Sequence, residues 1–123
     1  MENDKGRDAP WPGEKAYRAA ALLLMIAIAW LSLSPPGDSL DPPGNDKIGH
    51  VMAYGALTFT TLMALGPQRW KTALALCLIY GGAMEVLQGV MPYGREASLA
   101  DMVANTAGAL AALVLVAGFR RWG

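Results

Sequence analysis

Residues 17–33 read YRAAALLLMIAIAWLSL. The single charge, Arg18, stands at the start, and after it come only alanine, leucine, isoleucine and methionine apart from Trp30, Ser32 and the closing leucine. A helix rises 1.5 Å per residue and a bilayer's hydrocarbon core is about 30 Å thick, so a run of this length and composition is sized to cross a membrane. Three more runs follow. One begins near Asp46 and ends at Leu65, one spans Trp70 to Met91, and one spans Leu99 to Phe119. Prolines stand in the gaps, at Pro35, Pro36, Pro42, Pro43, Pro67 and Pro92. Proline cannot continue a helical hydrogen-bond ladder, so these are natural stops.

The whole chain agrees with that reading. It has 123 residues, enough for one domain; 54% are hydrophobic and 16% are charged. Soluble domains carry about 25% charged residues, spread over the surface. Here eight of the twenty charges fall in the first eighteen residues, while Ile48 to Phe119 holds only Arg69, Lys71, Glu85, Arg95, Glu96 and Asp101. Such a distribution excludes a soluble enzyme, a disulfide-stapled secreted module and a disordered chain. The net charge is zero, so no bulk field draws in nucleic acid, and no nucleic-acid partner is expected. The lone Cys77 has no disulfide or CxxC partner and reads as a small buried helix residue.

The expected fold class is therefore all-α: an integral membrane four-helix bundle. Residues 1–15 read as a polar tail, and 16–120 as the four-span domain. The first run reads as a span and not as a cleaved leader, because Pro35 directly follows Ser-Leu-Ser. Lys5, Arg7, Lys15, Arg18, Arg69, Lys71, Arg120 and Arg121 fall on one side of alternating spans, against Lys47 and Arg95 on the other. The positive-inside rule then puts both termini in the cytoplasm, with 35–46 and 92–98 outside. Trp11, Trp30, Trp70, Tyr93 and Trp122 lie near span ends, where interfacial aromatics belong. Small residues at helical spacing, Gly81 and Gly89 on the face that carries Glu85 and Ala104/Gly108/Ala112 on another, predict close helix approach.

Polar groups inside spans cost roughly 2.5–3.5 kcal/mol each for charged residues, so their positions are informative. Asp46, His50 and Tyr54 share a helical face, with Lys47 beside it. Glu85 and Gln88 are spaced i, i+3 in the third run; Asp101 and Asn105 are spaced i, i+4 in the fourth. Arg95 lies in the third loop. With the expected topology all of them occupy the outer layer, Glu85 about 9 Å below Met91 at 1.5 Å per residue. Convergence from three helices and a loop predicts one pocket. Thr58 and Thr106 are expected to bond their own helix backbone.

These same residues carry a resemblance. DKIGHVMAYGAL (46–57) and EVLQGVMPYGREASLADMVANTAGA (85–109) are similar to the VanZ-like family of small bacterial membrane proteins. The matching positions are Asp46, Lys47, His50, Tyr54, Glu85, Gln88, Arg95, Asp101, Asn105 and Gly108. The resemblance spans roughly residues 16–119. It implies a multi-pass protein of the bacterial inner (cytoplasmic) membrane and a link to the cell envelope, since the family is named for a member tied to teicoplanin resistance.

Two functional readings follow. In the first, the protein binds or acts on a peptidoglycan- or lipid-linked envelope ligand from the outer face, affecting glycopeptide (teicoplanin) susceptibility. His50 and Glu85 would be the acid/base pair, because an imidazole titrates near neutrality, and Asp101 would orient its neighbours. Arg95 and Lys47 would hold a phosphate or carboxylate. Asp46, Tyr54, Gln88 and Asn105 would complete the binding surface. In the second, the protein is a non-catalytic assembly or packing partner and the polar cluster is a structural lock. A proton-coupled carrier would need a homo-oligomer to find room for a pathway. No cofactor is expected. His50, Glu85 and Asp101 make a mixed N/O ligand set, yet a single histidine without an HExxH-like pair argues against a metal.

Overall fold

The structure, a computed structural model, describes residues 13–33, 45–90 and 99–122, with side chains for all of these except 45–47 and 120–122. The expected tail, both outer loops, Trp11, Tyr93 and Arg95 lie outside the described residues. What is described is all helical, without strands: α1 (Glu14–Leu33), α2 (Asn45–Leu65), a short 3-10 turn (Pro67–Arg69), α3 (Trp70–Val90) and α4 (Leu99–Trp122). The helices have 20, 21, 21 and 24 residues, each about 30 Å or more at 1.5 Å per residue. All four are long and apolar enough to cross a membrane.

Helix α1 starts three residues before the apolar run suggests. Gly13, at φ 78°, turns the chain so that its carbonyl accepts the Tyr17 N–H at 2.9 Å. The Arg18 guanidinium donates to Glu14 at 2.7 Å, an i, i+4 ion pair with the acid near the positive helix end. The link from α2 to α3 is tight for a similar reason. Gly66, at φ 101°, closes α2 by donating to the Leu62 carbonyl at 2.8 Å, and Pro67 opens the 3-10 turn.

Helix α2 is the centre of the bundle. It packs most extensively on α4, then on α1 and α3. The α2–α4 contact is close because two glycines oppose each other: a Cβ on Gly55 would lie 3.3 Å from the Gly108 carbonyl oxygen, and one on Gly108 only 2.3 Å from the Val51 oxygen. Without a hydrophobic drive between helices in lipid, such backbone approach supplies the packing. The buried face of α4 runs Asp101, Ala104, Asn105, Ala109, Ala112 and Val116, an i, i+3, i+4 stripe. A second layer joins Ile28, Tyr54, Leu57, Cys77 and Met84. Cys77 is buried there, as its sequence context predicts.

The opposite faces carry large apolar side chains turned away from the bundle. Leu23 and Ile26 on α1, Ile79 and Val90 on α3, and Val114, Leu115 and Phe119 on α4 are all more than 60% exposed. Soluble monomers do not present apolar surface on this scale; lipid covers it without cost. Trp30 and Trp70, both exposed, sit near helix ends as interfacial residues should.

Candidate functional site

Consecutive helices of the bundle run in opposite directions. The end of α1, the start of α2, the end of α3 and the start of α4 therefore share one end. The buried charged and amide side chains, Glu85, Gln88, Asp101 and Asn105, all lie there. Each continues the inward stripe of its own helix, so the helix that needs a dry face for packing carries its polar groups into the bundle and away from lipid.

His50 is the junction. On the first turns of α2, it faces the i, i+4 pair Asp101 and Asn105 of α4. Its Nδ1 lies 2.8 Å from Asn105 Oδ1. A carbonyl oxygen only accepts, so Nδ1 carries a hydrogen and donates this bond. Nε2 points at Asp101 Oδ2, 3.6 Å away. Glu85 arrives from α3 and is 4% exposed. One ligand-capable atom from each of His50, Glu85 and Asp101 lies within 4.8 Å of the other two.

Tyr54 forms the floor. It is 2% exposed, its ring stacks parallel to His50 at 6.4 Å between centroids, and it meets Tyr80 at 6.5 Å. Gly81 makes room for this layer: a Cβ there would lie 3.0 Å from Asn105 Nδ2 and 3.2 Å from the Tyr54 ring. The Asn105 amide is 1% exposed, and its NH2 has no hydrogen-bond partner among the described residues.

Gln88 takes a different direction. Its amide donates to the Ser32 carbonyl at 2.9 Å, satisfying one of the orphan acceptors at the C-terminus of α1. A second tie from α3 to α1 runs from the Tyr80 hydroxyl to the Met25 carbonyl, and no motif or spacing points to it. The one available signal is a tyrosine in the middle of an apolar span, where a hydroxyl must find a partner. Asp46 and Lys47 begin α2 at the same end, though their side chains are outside the described atoms. Thr106 donates to its own helix at Met102, 2.8 Å away, as expected. Thr58 departs from that expectation: its hydroxyl is buried with no partner among the described residues.

A family model described as VanZ/LLP1 matches residues 40–120, which include every site position named so far. The chain belongs to the VanZ/LLP1 family. No curated protein and no solved structure matches it. Family and helices together make this VanZ/LLP1 protein a multi-pass membrane protein. The family match covers α2, α3 and α4, the three helices that build the polar cluster, and omits α1, whose Ser32 and Met25 carbonyls accept bonds from α3.

Proposed function

We propose that this VanZ/LLP1 protein lies in the bacterial cytoplasmic membrane with both termini inside. The His50 end of the bundle then faces outward, where it receives a peptidoglycan- or lipid-linked envelope component. The observation that carries this reading is the convergence of His50, Glu85, Asp101 and Asn105 from three helices into one buried layer. Side chains so costly in lipid belong where they do chemistry or bind.

The chemistry follows from the histidine. Asn105 accepts from Nδ1–H and so fixes the ring, leaving Nε2 beside Asp101 as the nitrogen that exchanges a proton with the ligand. A base whose second nitrogen is held by a buried partner is an oriented base. Glu85 is the complementary proton donor, and Asp101 orients the imidazole. Arg95 and Lys47 take the anionic group of the ligand, Arg95 by a two-pronged contact. Asp46 and Tyr54 shape the pocket, while Gln88 ties α3 to α1 beside it. Removal or sequestration of an envelope precursor by this site would alter teicoplanin susceptibility.

Two bonds favour a second reading, a non-catalytic lock. His50–Asn105 joins α2 to α4 and Gln88–Ser32 joins α3 to α1. The experiment that separates the two compares Glu85→Gln, His50→Ala and Arg95→Lys for teicoplanin susceptibility and for thermal stability in detergent. The site reading expects lost phenotype at near-normal stability. Equal destabilisation of all three, with phenotype tracking stability, leaves only the lock.

A further inference from the structure

We propose that His50, Glu85 and Asp101 form a binding site for one divalent transition-metal cation, with Zn2+ the best match to the donor set. The inference rests on the proposed envelope-ligand site for its biological purpose, though not for its geometry; with the ion bound, His50 and Glu85 act as its ligands in place of the acid/base pair.

The first argument is the distance between His50 Nε2 and Asp101 Oδ2. At 3.6 Å it exceeds hydrogen-bond length. Two ligands on one tetrahedral zinc, each about 2.1 Å from the metal, stand about 3.4 Å apart. The contact is within ion-pair range, and its spacing also matches two ligands of a common ion. Glu85, 4% exposed on α3, completes a three-residue set whose ligand atoms lie within 4.8 Å of one another.

The second argument is independent of that spacing. Metal-bound histidines ordinarily donate their other ring N–H to a fixed acceptor, which sets the tautomer and aims the lone pair at the ion. Asn105 is that acceptor, at 2.8 Å and 1% exposed. It holds the position although its own NH2 is left without a partner among the described residues. An unsatisfied buried donor costs about 1–3 kcal/mol, so the amide is placed for what its oxygen does. One imidazole and two carboxylates suit zinc, iron or manganese better than a purely hard or purely soft ion.

Three protein ligands leave a coordination position open, the arrangement of catalytic and substrate-binding zinc and not of closed structural sites. A phosphate or carboxylate oxygen from an envelope ligand is the chemistry that position accepts. The lone histidine argues against a metal when only the sequence is read; three helices supply the ligands that no local motif encodes.

The test uses the full chain in detergent, purified through a tag without histidines, stripped with chelator and titrated with ZnCl2. Bound metal is measured by elemental analysis and calorimetry, and melting temperature is followed with and without Zn2+. The expected result is about one zinc per chain, with a raised melting temperature. Glu85→Gln and Asp101→Asn, both near-isosteric, should weaken binding at least tenfold, and Asn105→Ala roughly 10–100-fold as a residue acting through His50. Glu14→Gln, at the far end of the bundle, should bind as the unaltered chain does. The proposal is overturned by no zinc on the folded chain, or by equal binding in Glu85→Gln and Asp101→Asn. In that case a teicoplanin phenotype that still depends on Glu85 would preserve the envelope-site reading as a proton-transfer site. Stoichiometric zinc without any phenotype would sink the envelope reading alone.

Discussion

Gly108→Ala is the sharpest test of how α2 and α4 meet. The new Cβ would lie 2.3 Å from the Val51 oxygen, 2.9 Å from the Gly55 nitrogen and 3.0 Å from the Val51 carbonyl carbon. All three are backbone atoms, so no side-chain rotation relieves the clash. The reciprocal position supplies a scale: a Cβ on Gly55 would sit 3.3 Å from the Gly108 oxygen, a tight contact that gives by tenths of an ångström. Reaching that separation from 2.3 Å requires α2 and α4 to part by about 1 Å. One turn away, the 2.8 Å His50–Asn105 bond would open beyond hydrogen-bond length. Overpacking costs about 1–3 kcal/mol. Loss of an interhelical bond in a membrane protein adds about 0.6 kcal/mol. Alanine's better helix propensity returns about 0.5–1 kcal/mol. The net expectation is roughly 1–3 kcal/mol of destabilisation, with Gly55→Ala clearly milder and Gly118→Ala, which meets nothing within 4 Å, neutral or slightly stabilising. The assay is the melting temperature of each variant in one detergent, read by loss of the monodisperse peak after heating. Gly108→Ala as stable as the unaltered chain, or less damaging than Gly55→Ala, refutes the α2–α4 register.

Other consequences follow from the same packing. Thr58→Val removes a buried hydroxyl without a partner among the described residues and should raise stability by about 1 kcal/mol in the same melting assay; a loss would show that the hydroxyl has a partner in the membrane. Tyr80→Phe and Gln88→Leu each release one tie from α3 to α1, and each should cost about 0.6–1.7 kcal/mol and increase proteolysis near residue 33; unchanged cleavage would mean α1 is held by packing alone. A cysteine at Ser39, in a Cys77→Ala background, should react with an impermeant thiol reagent in whole cells, and protection there would invert the proposed orientation.

Much of this protein is legible in its amino-acid sequence. Four spans follow from length and apolarity, and the helices begin and end within a few residues of the punctuating prolines and glycines. The shared layer of His50, Glu85, Asp101 and Asn105 is also readable there, because alternating helices of known length fix the depth of every residue. Depth, however, is only one coordinate. The rotation of each helix about its axis depends on which faces interlock, and in lipid that is decided by backbone contact at Gly55 and Gly108, not by a hydrophobic period.

That difference accounts for what spacing alone misses. Gln88 shares a helix face with Glu85, yet it turns to α1 and the Ser32 carbonyl while Glu85 turns to His50 and Asp101. No spacing rule separates them; the position of α1 does. Composition and periodicity by themselves determined that this chain has four helices able to cross a membrane and gathers its polar exceptions at one end, because desolvation makes each exception expensive wherever it sits. Only the tertiary structure decided that His50 donates to Asn105, turns Nε2 to Asp101 and lies with Glu85 in one cluster, because these are contacts between helices.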